Sequence, residues 1–348
     1  MPIDPPVPER AAIRVGLDNL TAESVAEVAR HDHKVAPLDP AIAARMRPSA
    51  DWVEQNSGLI ARARRDGTTP PAWYGINTGF GAQAGRGALD SRFLTELLGR
   101  NLMASHSVGA GPWFDLPEIR AAMLIRAQSL SSGHSGVRPD IVEALIRMLN
   151  AGVYPAVPRQ GSLGASGDLA PLAHLLLVMT APPEPDPGES DGGLDRTDGE
   201  AFVPADAKTA DHLTRDRVSG DARTWRIVAG EQAMRPAGGK IALRAKEALA
   251  LMNGSTVSAA IGALAVADAS ALLEHADLML AMTLEGIRGF RDPFFPHVHR
   301  ARGHAGAERS AARVLAYTAG STMLDPGGLD VDPARIPPQD PYSVRCAP

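Results

Sequence analysis

Arg159-Gln160-Gly161-Ser162-Leu163-Gly164-Ala165-Ser166-Gly167-Asp168-Leu169-Ala170-Pro171-Leu172-Ala173-His174 is the stretch that decides how this chain reads, and its centre is Gly164 to Asp168. In a tight turn an Ala-Ser-Gly triplet can cyclise on itself. The amide nitrogen of Gly167 attacks the carbonyl carbon of Ala165, a five-membered ring closes, and dehydration strips the Ser166 hydroxyl. The product is a methylidene-imidazolone, an electrophile made from backbone. Gly167 suits the attack because a side chain would hinder the nitrogen and forbid the dihedrals required. Ala165 is small enough for the turn to tighten. Ordinary side chains are nucleophiles, and proteins that need an electron sink usually take one from a cofactor. The bare triplet also occurs by chance as a flexible turn before a helix, so the rest of the chain must decide between the two.

The residues that follow Asp168 are apolar and read as a helix with Pro171 in its first turn, where a missing amide donor is harmless. The triplet then lies at a helix N-terminus, whose unpaired amides and positive dipole end favour negative charge developing on the ring. Two competing motifs fall away. Gly161 to Gly167 is no phosphate loop, since no strand is expected before it and no Gly-Lys-Ser/Thr follows, and Gly238-Gly239-Lys240 lacks the spacing. A serine hydrolase needs Gly-x-Ser-x-Gly, whereas Ser166 is followed by Gly167-Asp168.

With 348 residues the chain can bury a large core and is a little long for one domain. Its 44% hydrophobic and 22% charged residues read as soluble and globular, and with only 4% aromatics the interior falls to Leu, Ala, Val and Met. A net charge of -5 gives no reason to expect nucleic acid. Cys346 is the only cysteine, which excludes an intrachain disulfide and an all-cysteine metal site and fits a reducing cytoplasm. The start, Met1 to Glu9, has neither the basic lead nor the apolar stretch of a signal peptide. The most apolar run by this reading, Leu169 to Ala181, is too short to span a bilayer. His297, His299 and His304 have no evident carboxylate or cysteine partner, so no metal is expected.

Helical spacing runs over 21–33, 40–65, 90–108, 116–131 and 139–150, with Ile141, Ala144, Leu145 and Met148 on one face of the last. Gly75, Gly79, Gly81, Gly85 and Gly87 make the segment after Trp73 a loop, read as mobile. In 181–238 prolines alternate with Glu184, Asp186, Glu189, Asp191, Asp195 and Asp198, the composition of a solvated, poorly ordered surface insertion. Ile241 to Leu284 is rich in Ala and Leu and predicts long buried helices. Gly327-Gly328 and Pro337-Pro338 bracket a final loop. No series of strands emerges, so the class is mainly α, a bundle of long helices.

Four further blocks stand in order around the triplet: Trp73-Tyr74-Gly75-Ile76-Asn77-Thr78-Gly79-Phe80-Gly81, Asn101 to Gly109, Lys246 to Gly254, and Gln339-Asp340-Pro341-Tyr342-Ser343-Val344-Arg345-Cys346. Together they resemble the histidine, phenylalanine and tyrosine ammonia-lyase and aminomutase family, from about residue 12 to the last. The resemblance implies an all-helical fold, a methylidene-imidazolone formed autocatalytically from Ala165-Ser166-Gly167, and loss of ammonia from an aromatic L-amino acid. By residues alone Tyr74 is either a loop aromatic anchoring its turn or a base; the family's catalytic base matches it. Asn253 is either a structural hydrogen-bonder or a contact to the ring, and the match favours the ring. His106, in Ser105-His106-Ser107, looks like the histidine-lyase version of the selectivity position and points to an imidazole substrate, with urocanate as product. The resemblance assigns the substrate carboxylate to Arg345, a guanidinium suited to bidentate grip, sets Tyr342 and Gln339 in the pocket, and gives Gly164 and Asp168 supporting roles at the ring.

The blocks divide the chain into an N-terminal domain over 1–180, the acidic insertion over 181–238, and the start of a central helical bundle with the active-site loop over 239–348. There are departures. Ser255-Thr256 stands where histidine lyases usually carry Thr-Gln, Arg302-Gly303-His304-Ala305-Gly306 lacks the family's prolines, and members continue well past the Cys346 block. A phenylalanine or tyrosine lyase, an aminomutase and a catalytically silent subunit stay open as alternatives. Family members form helical tetramers in which several chains build each pocket, so an oligomer is expected, with a separate polypeptide supplying the C-terminal region.

Overall fold

Capping and packing together explain where the helices begin and end. This computed structural model describes residues 11–85, 92–185, 196–205, 224–325, 334 and 337–348, with only the backbone at 60, 61, 64, 205 and 224. Helix α1 (Ala22–His31) opens on a capping box in which Thr21 and Ser24 satisfy each other's backbone amides. Helix α2 (Pro40–Arg65) carries Pro48 inside it, and α3 (Arg92–His106) follows the Tyr74 loop. Helix α4 (Leu116–Leu130) starts from a second box, the Glu118 carboxylate accepting the Asp115 amide at 2.7 Å. Helix α5 (Pro139–Ala151) stops at Gly152, whose φ of 72° ends it in the left-handed region. Helix α6 (Leu169–Met179) begins directly after the triplet. The five expected helical spans are all present, with ends shifted by a few residues.

Helix α4 is the centre of the core. Ala121, Ala122, Met123 and Leu124 are fully buried, and α1 and α5 pack against it. Four consecutive buried residues leave no polar face, so the helix needs cover on every side. Helix α6 is buried along nearly its whole length, against α3 and α8 (Glu247–Met252).

Short strands, which the sequence does not announce, tie the loops down. They are β1 (Ala110–Trp113), β2 (Tyr154–Pro155), β3 (Pro158–Gln160), β4 (Thr180–Ala181), β5 (Glu200–Ala205), β6 (Thr224–Ala229) and β7 (Ile241–Ala242). β1 pairs with β3 and β2-β5-β6 form a sheet, all antiparallel, while β4 and β7 pair parallel. β3 thus does precede the triplet loop, contrary to the sequence reading; the missing Gly-Lys-Ser/Thr still excludes a phosphate loop. Within 181–238 the described residues include paired strands and buried side chains, not only a solvated run. β5 and β6 pair over their full length, and Trp225 is buried against the Tyr154 ring with centroids 5.3 Å apart. Asp198 pairs with Lys240 and accepts the amide of Glu231 in α7 (Gly230–Ala233). Segment-wide proline and carboxylate content hides two strands this short. Residues 186–195 and 206–223, and with them Asp186, Glu189, Asp191 and Asp195, lie outside the described residues, as do Gly87 and Gly327-Gly328.

The chain forms two compact units, Met1–Leu264 and Ala265–Pro348, the division falling within α9 (Thr256–Ile287). The second unit has its own cluster, including Leu284 of α9, Phe294 just before α10 (Pro296–Arg302), and Ala311 and Val314 of α11 (Ala305–Tyr317), and the unit ends in the short α12 (Tyr342–Arg345). Helix α9 corrects the expectation of buried helices over Ile241 to Leu284. Val266, Leu272, Leu273, Met279 and Met282 are exposed in the single chain. Composition reports that a helix is apolar, not what covers it. By length and composition α9 is apolar enough to cross a membrane, and it outdoes the Leu169–Ala181 run in this. Asp268, Glu274, Asp277 and Glu285 interrupt it, and Asp277 pairs with Arg313 at 2.8 Å, the behaviour of a packing helix.

Candidate active site

The triplet is stitched to a second loop, the Asn253-Gly254-Ser255 link between α8 and α9. Gly254 donates its amide to the Ser166 carbonyl at 3.2 Å, and its own carbonyl accepts the Asp168 amide at 3.0 Å. Gly167 and Gly254 therefore face each other as an isolated parallel bridge. Gly167 holds φ at 97°, and a Cβ there would lie 2.3 Å from the Gly254 carbonyl carbon. Conformation and space both demand glycine. Gly164 turns the chain at φ 81°, and Gly164, Ala165 and Ser166 are exposed, while Gly167 and Asp168 are buried.

Asp168 fixes this arrangement from behind. Its carboxylate accepts the Ser162 hydroxyl at 2.9 Å, the Ser258 hydroxyl at 2.9 Å and the Ser258 amide at 2.8 Å. The last bond comes from the first turn of α9, where a carboxylate meets the positive end of the helix dipole. Asp168 stands at the N-cap of α6, but its side chain makes no capping bond to that helix.

Ser166 lines a cavity of about 510 Å³ together with Tyr74, His106 and Asn253. Tyr74 is 57% exposed, accepts the Gly81 amide on its phenolic oxygen at 3.1 Å, and meets Phe80 edge-on. The segment around it is tighter than its glycines suggest. Gly75 to Thr78 are buried, and Asn77 accepts the Trp73 amide at 2.8 Å while donating to the Pro71 carbonyl at 2.9 Å. His106 ends α3, with Nδ1 2.8 Å from the Leu102 carbonyl. A carbonyl only accepts, so Nδ1 donates in this bond. Asn253 donates its amide to the Leu249 carbonyl at 2.9 Å.

Other lining residues went unread in the sequence: Phe80, Leu98, Asn101, Leu102 and Leu249. Helical periodicity held the signal for three of them, because Leu98, Asn101, Leu102, Ser105 and His106 fall on one face of α3 at steps of three and four. Behind the triplet, His174 of α6 accepts the Gly109 amide on Nε2 at 3.0 Å, and burial pushes its imidazole below the ordinary histidine pKa.

Gln339, Tyr342 and Arg345 belong to the second unit. Gln339 and Tyr342 are exposed, and the Arg345 guanidinium stacks over the Tyr342 ring at 4.6 Å. Arg345 Nε is buried without a hydrogen-bond partner, and the side chain lines a hollow of about 580 Å³ with Asp292, Arg302, His304 and Cys346. His299 is buried with Nε2 2.9 Å from the Pro293 carbonyl. Among the described residues, no three His, Cys, Asp or Glu side chains converge as a metal site.

The chain is 38% identical over 340 residues to a histidine ammonia-lyase of Stigmatella aurantiaca, covering 97% of this chain and 56% of the relative. It is 40% identical over 331 residues to another from Anaeromyxobacter sp. (strain K), covering 95% and 56%. The chain thus spans about half the length of the curated relatives it matches. Among solved structures, tyrosine aminomutase from Streptomyces globisporus superposes with a TM-score of 0.71 at 29% identity, covering 97% of this chain and 57% of that one. Histidine ammonia-lyase from Trypanosoma cruzi gives 0.66 at 27%, covering 97% and 52%. Residues 20–348 match the family described as aromatic amino acid lyase, and the chain belongs to that family.

Proposed function

We propose that this chain is the ring-bearing part of an ammonia-lyase acting on an aromatic L-amino acid, with histidine as the favoured substrate and urocanate as product. The observation that carries the reading is the convergence of Ser166, Tyr74, His106 and Asn253 on one cavity. The Gly167–Gly254 contact fits a methylidene-imidazolone closed from Ala165-Ser166-Gly167, since it leaves room for nothing larger than glycine at the attacking nitrogen. Such a ring supplies the electrophile that takes up the substrate's amine electrons.

This chain's own side chains do the rest. Tyr74 takes the β-proton; its loop brings the phenol to the cavity, and the Gly81 amide is aimed at the oxygen that would carry the charge. His106 offers Nε2 to an imidazole N–H, which separates histidine from a purely apolar ring. Asn253 borders the ring, Gly164 lets its loop turn, and Asp168 keeps its backbone in place. Arg345 grips a substrate carboxylate, with Tyr342 stacked on the guanidinium and Gln339 in the same loop. The exposed apolar residues of α9 support assembly of several copies, as a helix apolar on many sides needs cover.

Intact mass of the purified protein, alongside ammonia release from a panel of aromatic amino acids, tests the reading. Loss of two waters, absent in Ser166→Ala, and urocanate absorbance from L-histidine are expected. Turnover of phenylalanine or tyrosine but not histidine would overturn the role of His106. A β-amino acid product would make the chain an aminomutase, the reading favoured by its likeness to tyrosine aminomutase.

A further inference from the structure

Arg126, on α4, is a buried cation with no carboxylate beside it among the described residues. The residue is 4% exposed. One guanidinium nitrogen donates to the Ala250 carbonyl in the last turn of α8, and another reaches Thr256 Oγ1 at the start of α9 at 3.4 Å. The remaining nitrogen, Nε, is buried with no hydrogen-bond partner among the described residues. Burial alone lowers its pKa to about 10. Packing gives no reason for this residue, since an apolar side chain of similar volume would fill the space without the desolvation cost of a charge.

Its position gives the reason. Ala250 and Thr256 flank the Asn253-Gly254-Ser255 link, and a Cβ on Gly254 would lie 2.7 Å from Arg126 Nη1. The guanidinium therefore sits against the back of the residue whose front is bonded to Ser166 and Asp168. A planar fork can hold a helix C-terminal carbonyl and the next helix's first hydroxyl at once; an ammonium or an amide spans less. We propose that Arg126 is a positioning residue for ring closure: it clamps the α8–α9 link so that Gly254 holds Gly167 in the attacking conformation. This rests on the ring reading given above. Closure forms the bond from Gly167 N to Ala165 C and releases two waters. One takes the Ala165 oxygen with the amide hydrogens of Gly167 and Ser166; the other takes the Ser166 hydroxyl with its Cα hydrogen. No oxidant or reductant is required. A misplacement near one ångström slows such a reaction about a hundredfold.

The test follows the mass of the triplet peptide, and the ring's ultraviolet absorbance, over time after synthesis in the whole chain and its Arg126→Lys, Arg126→Gln and Arg126→Met variants, with a thermal melt of each. Folded Gln and Met variants should keep the unmodified mass after the parent has lost two waters, and Lys should mature slowly, a partial rescue that a purely structural role would not give. A folded Gln or Met variant that matures at the parent's rate overturns the inference. Should neither fold, Lys decides: maturation at the parent's rate overturns it and slowed maturation upholds it. An unmodified parent would overturn the ring itself and this inference with it, whereas a ring in both parent and Gln variant removes only the role of Arg126.

Discussion

The two walls of the cavity are built on opposite plans. On one side, Ser166 to Asp168 is bonded to Gly254 front and back, and Asp168 takes three hydrogen bonds from Ser162 and Ser258 while buried. On the other, Tyr74 is more than half exposed and its side chain has one amide and one edge-on ring for company. The root of that loop is fixed, in part through Asn77. The difference matches the work proposed for each wall. An electrophile made by backbone attacking backbone forms only if dihedrals are held before any substrate arrives. A base that meets a proton on an entering ligand needs a firm root and a free tip. The first wall should therefore respond to substitution in folding and ring formation, and the second in turnover alone.

Breaking the first wall gives the largest effect. Gly167→Ala adds a Cβ that would lie 2.3 Å from the Gly254 carbonyl carbon, at a φ of 97° that alanine adopts only under strain. Strain and overpacking together should remove about 4 kcal/mol of stability, read by urea unfolding, and leave the triplet at its unmodified mass. A variant as stable as the parent would mean that the bridge is not the rigid element described.

How far the sequence revealed these walls differs too. The triplet stood out by residue type and near neighbours, whereas the roles expected of Asp168 and Tyr74 came only from the resemblance to the lyase family. The helices were legible from apolar spacing, as in α5. Gly254 was legible only as part of the Asn253 block, since its opposite number lies 87 residues earlier by the pairing of Gly167 with Gly254. Arg126 left no signal at all: in the sequence it is one more arginine on an apolar helix, and its burial against two helix ends exists only after folding. The strands β5 and β6 were masked by proline and carboxylate content around them. Helix α9 was read as buried because apolar composition says nothing of which neighbours are present.

A subtler way to loosen the first wall is acid. His174 accepts the Gly109 amide on Nε2, which only the neutral ring can do, and burial holds its pKa below the ordinary 6.5. The unfolded chain then binds this proton more readily than the folded one. Stability from His174 is therefore complete above pH 6.5 and falls as the pH drops from there through the lowered folded value. Urea unfolding across that window should show a steeper acid-side decline for the parent than for His174→Gln, whose amide oxygen can still accept the Gly109 bond without titrating. Equal slopes in the two proteins would show that the tie between α6 and the segment after His106 carries no weight.

The smallest effect on folding belongs to the second wall, and its smallness is what sharpens the contrast. Tyr74→Phe removes one hydroxyl and keeps the ring that meets Phe80 edge-on at 6.2 Å. The Gly81 amide it releases lies in an exposed part of the loop and can turn to water. Urea unfolding should shift by no more than about 0.5 kcal/mol. The triplet should still lose two waters, because none of the bonds that hold Ser166 to Asp168 involves Tyr74. Turnover should fall about 100- to 10,000-fold, the range for removing a positioned base, with little change in the substrate concentration required. Incomplete maturation in this variant would mean that the two walls are coupled. Full turnover would mean that another group takes the proton, and Tyr74 would revert to an aromatic anchoring its own loop.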